Sequence, residues 1–152
     1  MIAPIEYLLN SASETEIAAH LRACDGNFVP RLSSRIEIGG YAKKISSNAV
    51  RFEAWSACTL IGLVAAYCNN PETRLAYITS VSVLHEWTGK GIAANLMDHC
   101  IKHAKASGMR QISLEVAKDN ALAIGLYLKS GFVATSTNAA LVNMTLYLKH
   151  LE

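Results

Sequence analysis

A chain of 152 residues has the length of one domain, residues 1–152, and with 51% hydrophobic and 17% charged residues it can bury a sizeable core. A formal net charge of +2 argues against nucleic acid or an anionic membrane surface as partner, since neither would be held by so weak a field. No apolar run reaches membrane-spanning length, and Met1-Ile2-Ala3-Pro4-Ile5-Glu6 lacks the basic start of a signal peptide. Cys24, Cys58, Cys68 and Cys100 form no Cys-x-x-Cys pair and no zinc-like spacing with histidine, so the expectation is a cytoplasmic protein with reduced cysteines and no metal.

In chain order, Ser13-Glu14-Thr15-Glu16 is a capping box, and Ile17, Ala18, Leu21 and Cys24 behind it share one helical face. Asp25-Gly26-Asn27 ends that helix, Pro30 to Gly40 reads as a loop, and Tyr41 to Ile45 as a short second helix. Ala49 to Trp55 and Thr59 to Cys68 read as strands joined by a tight turn near Ser56-Ala57, with a further turn at Asn69-Asn70-Pro71-Glu72. Leu75 to Leu84 is β-branched and sets Ile78, Ser80 and Ser82 against Thr79, Val81 and Val83, so a strand is expected. From Lys90 to Ser107 the apolar positions keep helical spacing, and Gly108 closes the helix. A strand from Gln111 to Val116, a helix from Ala121 to Lys129 and strands at Phe132 to Thr135 and Leu141 to Leu148 complete the chain. This order predicts an α/β (α+β) fold, a mixed twisted sheet of about six to seven strands with helices on both faces. The early strands should pair antiparallel, and the unit from Leu75 to Val116 should be a parallel crossover.

The run Val81-Ser82-Val83-Leu84-His85-Glu86-Trp87-Thr88-Gly89-Lys90-Gly91-Ile92-Ala93 is the most informative stretch. A helix N-terminus leaves backbone N–H groups unpaired, and their dipoles favour an anion. Gly89 and Gly91 lack a Cβ, so the chain can bend sharply there and a phosphate can come close to the backbone. The stretch reads as a pyrophosphate cradle, although Gly-x-Gly at a strand–helix turn is also ordinary turn chemistry.

Thirty residues on stands Asn120-Ala121-Leu122-Ala123-Ile124-Gly125-Leu126-Tyr127-Leu128-Lys129-Ser130-Gly131-Phe132. With both segments in view, the chain from about Leu75 to Leu148 resembles the GNAT acetyltransferase superfamily. The family's acetyl-CoA loop is usually Gln/Arg-x-x-Gly-x-Gly/Ala; here Gly91 and Ala93 match, and Thr88 replaces the usual first residue. The second segment matches the family's Asn-x-x-Ala-x-x-Leu-Tyr-x-x-x-Gly-Phe signature, with Ile124 and Gly125 in its middle.

The resemblance implies acetyl-CoA as co-substrate. Thr88, Gly89, Lys90, Gly91, Ile92 and Ala93 would hold its pyrophosphate, Val81 and Val83 its pantetheine through backbone groups, and Asn120 its arm. Tyr127 would be the general acid beside the thioester sulfur, since a phenol of reference pKa near 10 stays protonated at neutral pH. Asn120 also reads as a plain helix N-cap. The base is less defined. Tyr77 and Thr79 stand where the family often has Glu or His, which leaves Glu53, Glu37, Glu115 or a water chain through Ser80 and Ser82, with His85 expected to face solvent. Arg31, Arg35, Tyr41 and Lys44 form either an anionic-acceptor site or a solvated basic face. The expected activity is direct transfer of acetyl, in a ternary complex, to the primary amine of a small molecule. A protein or peptide N-acetyltransferase and a non-catalytic acyl-CoA-binding module are the alternatives, and a homodimer is left open.

Overall fold

A computed structural model describes residues 4–148. Strand β1 (Glu6–Leu9) leads into helix α1 (Glu14–Cys24), and a loop with two 3-10 turns leads into α2 (Ile38–Asn48). Strands β2 (Val50–Ser56), β3 (Thr59–Tyr67) and β4 (Leu75–Val83) follow. Then come α3 (Ile92–Ala106), β5 (Gln111–Ala117), α4 (Ala121–Lys129), β6 (Val133–Thr137) and β7 (Leu141–Tyr147). Among the described residues the sheet has seven strands in the order β1-β2-β3-β4-β5-β7-β6. Only β4 and β5 pair in parallel; every other neighbour is antiparallel.

Ser13 caps α1 as the sequence predicts: its hydroxyl accepts from the Glu16 N–H while Glu16 accepts from the Ser13 N–H. Two expectations are corrected. Strand β1 lies before α1, where none was read, and α2 begins at Ile38, three residues ahead of Tyr41. Gly39 and Gly40 weaken a helix start intrinsically. Here the Glu37 carboxylate accepts from both of their N–H groups and supplies the missing cap.

Alternation in β3 divides the core. Leu60, Leu63 and Ala65 pack with Ile17 and Leu21 of α1 and Ala42 and Ile45 of α2. Ile61, Val64 and Ala66 face α3 (Leu96, Met97, Cys100) and Tyr127 of α4 on the other side. Helix α3 lies directly on the β3 backbone: a Cβ on Gly62 would sit 2.8 Å from Ile92 Cγ2. Each large side chain so buried stabilises by about 1.5–3 kcal/mol.

Strand β4 departs from the expected alternation. Its register against β3 pairs Ala65 with Ser80 but Ala66 with Ile78, so Thr79 is an extra residue, a β-bulge. Ala76 and Ile78 belong to the α3-side core, and after the bulge Val81 and Val83 join that side. Ser82 instead meets His20 of α1. With β5, β4 pairs only at Leu75–Gln111, Ala76–Ile112 and Tyr77–Ser113.

The link between β1 and α1 hangs on Glu53 of β2. Its carboxylate accepts from the N–H groups of Ser11 (3.1 Å) and Ala12 (3.0 Å) and from Trp55 Nε1 (2.9 Å), and Arg51 Nε lies 3.6 Å away. Glu53 is fully buried. Glu53→Ala strands the Arg51 charge and three donors, so unfolding in urea should show a loss of about 3–5 kcal/mol with an unchanged m-value. A loss under about 1 kcal/mol would mean that this carboxylate does not hold the link.

Candidate active site

Beyond Tyr77 and Ser113, β4 and β5 bound a cleft of about 710 Å³ lined by Ile78 to Val83 on one wall and Glu115 to Ala117 on the other. Thr88 and Ala93 line it at the helix α3 end, Tyr127 and Asn120 from α4, and Tyr77 and Arg35 from the opposite part of the chain. From Tyr77 to Val83 the strand advances about 20 Å at roughly 3.3 Å per residue.

At the α3 end, Gly89 (φ +78°) and Gly91 (φ +77°) take left-handed conformations that favour glycine. Gly91 is the N-cap of α3 and makes no side-chain capping bond. A Cβ at either glycine would find nothing within 4 Å, so the space beside these two residues is open. This arrangement fits an anion such as a pyrophosphate. The Thr88 hydroxyl donates to the His85 carbonyl at 2.7 Å and so closes the turn from within. Lys90 and the two glycines are solvent-exposed without lining the cleft wall. The Ile92 side chain is buried in the core against β3, on the apolar face that its helical spacing predicts, and can offer a ligand only its backbone. The Val81 and Val83 side chains also pack on the core, while the strand they belong to lines the cleft.

Asn120 is the N-cap of α4, its side-chain oxygen accepting from the Ala123 N–H at 3.3 Å. Two turns later Tyr127 lies buried, its ring 6.1 Å from that of Phe132. Burial pushes the Tyr127 phenol up to about 12, so it is a proton donor across the physiological range. Its hydroxyl has no hydrogen-bond partner among the described residues, and the cleft lies beside it.

The candidate bases separate by position. Glu53 is consumed by the β1–α1 link, and Glu37 caps α2. Ser82 cannot continue a water chain freely: His20 Nδ1–H donates to the Leu60 carbonyl at 2.8 Å, so Nε2 accepts from Ser82 at 2.9 Å. Burial lowers the His20 pKa and keeps this imidazole neutral. Sequence reading missed this pair; a buried histidine opposite a strand serine carries no spacing signal. Glu115 remains, exposed, lining the cleft, with the Tyr77 hydroxyl donating to it at 3.4 Å. Burial, reinforced by Glu115, pushes the Tyr77 phenol up to about 12. His85 is exposed and lines the cleft near the glycine turn.

Of the four residues considered for an anionic acceptor, only Arg35 lines the cleft. Arg31 pairs with Asp25 at 3.9 Å, Lys44 sits over the Tyr67 ring, and the Tyr41 hydroxyl donates to the Thr79 carbonyl at 2.6 Å. Burial also raises the thiols of Cys24 (to about 11) and Cys100 (to about 12), and no cysteine lines this cleft. Among the described residues, no three His, Cys, Asp or Glu side chains gather as a metal site, and no helix is long and apolar enough to cross a membrane.

Residues 16–132 match the acetyltransferase (GNAT) family. The chain belongs to that family. Over 64 residues it is 34% identical to "GCN5-related N-acetyltransferase 6, chloroplastic" of Arabidopsis thaliana, a match covering 42% of this chain and 22% of that protein. Over 71 residues it is 31% identical to "N-alpha-acetyltransferase MAK3" of the same plant, covering 47% of this chain and 37% of that one. The chain thus matches well under half the length of these relatives. Among solved structures, the PaiA N-acetyltransferase of Thermoplasma acidophilum, determined in complex with coenzyme A, superposes with a TM-score of 0.74 at 17% identity, covering 95% of this chain and 99% of that one. This likeness establishes the GNAT fold.

If the GNAT glycine turn binds coenzyme A, a concentration near 100 Kd should stabilise the protein by about 2.7 kcal/mol, raising Tm by on the order of 5–10 °C. Gly91→Asp should abolish that rise while keeping the fold. Aspartate tolerates the left-handed region better than most residues and is a good N-cap, but its carboxylate then occupies the N–H groups and repels the ligand. A Tm rise equal to wild type in this variant would reduce the loop to a turn.

Proposed function

We propose that the protein transfers the acetyl group of acetyl-CoA to the primary amine of a small molecule, both substrates being bound together. The observation that carries this reading is the cleft itself: its lining runs from Thr88 and Ala93, on either side of the glycine turn at the α3 N-terminus, past the Tyr127 phenol, to the Glu115 carboxylate. In this reading the backbone of Thr88 to Ala93 holds the pyrophosphate, the open edge of β4 around Val81 and Val83 binds the pantetheine amides, and Asn120 adds a side-chain contact. Acetyl-CoA supplies an acetyl thioester.

Tyr127 then faces the departing sulfur. Its raised pKa sets what it can do: a phenol near 12 is a much weaker acid than a thiol of about 8.5, so it stabilises the thiolate by a hydrogen bond rather than by complete proton transfer. The bound ammonium first gives up one proton to water, leaving a lone pair that attacks the acetyl carbon. Glu115 accepts the second proton as the new N–C bond forms, when the nitrogen has become far more acidic than the free ammonium, and the C–S bond breaks to release the thiolate. Tyr77, neutral and donating to Glu115, orients that carboxylate. The cleft contains no cysteine to carry the acetyl group, which favours direct transfer over an acyl-enzyme. The name of the 31% identical relative, an N-alpha-acetyltransferase, keeps a peptide amine as the second reading.

Release of free thiol from acetyl-CoA with a library of small amines and a panel of peptides, products read by mass spectrometry, tests the activity. Acetylation confined to peptides would promote the second reading, and saturable coenzyme A binding with no turnover would leave a binding module. Tyr127→Phe should lower turnover by roughly ten- to ten-thousand-fold with coenzyme A binding near wild type. Equal losses in both would make Tyr127 a packing residue. Glu115→Gln should lower kcat/KM by about a hundred- to ten-thousand-fold. In wild type the rate should show no alkaline fall attributable to Tyr127 below about pH 11, because its proton is held to about 12.

A further inference from the structure

At the end of the cleft remote from the glycine turn, one phenol lies in the field of two opposite charges. The Tyr77 hydroxyl donates to Glu115 Oε1 at 3.4 Å, and the charges of Glu115 and Arg35 both act on that phenol. The ion pairs among the described residues are Arg31–Asp25, Arg51–Glu53 and Lys102–Asp98, so Arg35 and Glu115 line one cleft without neutralising each other. Phe28, Val29 and Pro30 contribute apolar surface to the same cleft, and Val29 is 43% exposed.

Resting on the acetyltransferase reading, we infer that this end of the cleft takes a free α-amino acid with an apolar side chain, its ammonium at Glu115 and its carboxylate at Arg35. Charge pattern selects this class. A simple alkylamine would meet Glu115 but leave the guanidinium without a counter-charge. A nucleotide-linked sugar carries several negative charges, and among the described residues Arg35 is the one arginine or lysine lining the cleft. A peptide N-terminus has no carboxylate on its first residue. A planar guanidinium binds a carboxylate through two parallel hydrogen bonds, a geometry that separates an acid from its amide. The phenol of Tyr77 is uncharged and does not repel the carboxylate. Tyr77 stands about 20 Å along β4 from Val83, at roughly 3.3 Å per residue, which leaves the length of the cleft for the donor.

The test is calorimetric titration of leucine, leucinamide, 3-methylbutylamine and glycine into the protein, with and without saturating coenzyme A. Leucine should bind CoA-loaded protein about ten- to a hundred-fold more tightly than leucinamide or the alkylamine, the effect of one charge-assisted contact. Glycine, with the same charges and no side chain, should bind more weakly than leucine. Arg35→Ala should bring leucine and leucinamide within about two-fold of each other, and raised salt should weaken leucine most. Glu115→Gln should weaken all four ligands. Leucinamide binding as tightly as leucine, or an acid-to-amide ratio untouched by Arg35→Ala, overturns the inference. Failure of coenzyme A to bind counts instead against the proposed function, and the acid-to-amide ratio is still read in its absence.

Discussion

Strand β4 is held by β3 along most of its length but by β5 for only three residue pairs, and the extra residue at Thr79 sits where that second edge comes free. A bulge bends a strand and increases its twist, which is how one strand can follow one neighbour and leave the other. The Tyr41 hydroxyl of α2 fixes it, donating to the Thr79 carbonyl and lying 2.7 Å from the Thr79 hydroxyl. Without the bulge every later side chain would change face. Ser80 and Ser82 would then enter the apolar layer under α3, and Val81 and Val83 would turn toward α1 and α2. With it, the valines join the α3 core and the Ser82 hydroxyl reaches His20. The bulge gives one of the two hydroxyls, that of Ser82, a partner worth about 1–3 kcal/mol and leaves Ser80 Oγ buried without one among the described residues. The order Ser-Val-Ser-Val after Thr79 therefore favours the irregularity chiefly by placing the two valines in the α3 core.

The two ends of that cleft are made of different atoms. The glycine end presents backbone N–H groups, whose position depends on φ at Gly89 and Gly91 and on the packing of α3 over Gly62. Such a site tolerates side-chain change, which is why threonine at position 88 can serve the turn by bonding to His85 rather than the ligand. The Glu115 end is built from side chains of a loop, β4 and β5, and its chemistry changes with each of them.

That difference decides what could be read from the sequence. Gly89, Gly91, Asn120 and Tyr127 fall in two continuous stretches with local geometric signatures, and the structure places the cap, the left-handed glycines and the buried phenol there. The capping box and the antiparallel and parallel pairings follow from equally local patterns. Strand β1 has four residues at the sheet edge, too few to show a period. The turn between β2 and β3 uses Ala57 (φ 48°) and Cys58 (φ 65°) in place of the Asn-Gly that usually marks such values. Glu53 reads in the sequence as a candidate base because nothing near it shows that Ser11 and Ala12 will donate to it. The bulge did leave a trace: apolar parity passes from Ala76 and Ile78 to Val81 and Val83, a change of face that strict alternation cannot contain.

Burial also sets the electrostatics around the cleft. It raises the phenols of Tyr127 and Tyr77 and lowers the imidazole of His20, and each shift favours the neutral form at pH 7. Of these three uncharged groups, Tyr77 and His20 act as hydrogen-bond partners, and the Tyr127 hydroxyl is left free for a ligand. The charges of Arg35 and Glu115 are exposed, and water and salt screen such groups to about 0–1 kcal/mol each. A ligand that meets one of them leaves the other in water. A zwitterion that spans both excludes water from both, and in the lower dielectric each contact strengthens the other's environment. Selectivity at this end thus depends on occupancy of both charges together, a property of the pair that neither residue has alone.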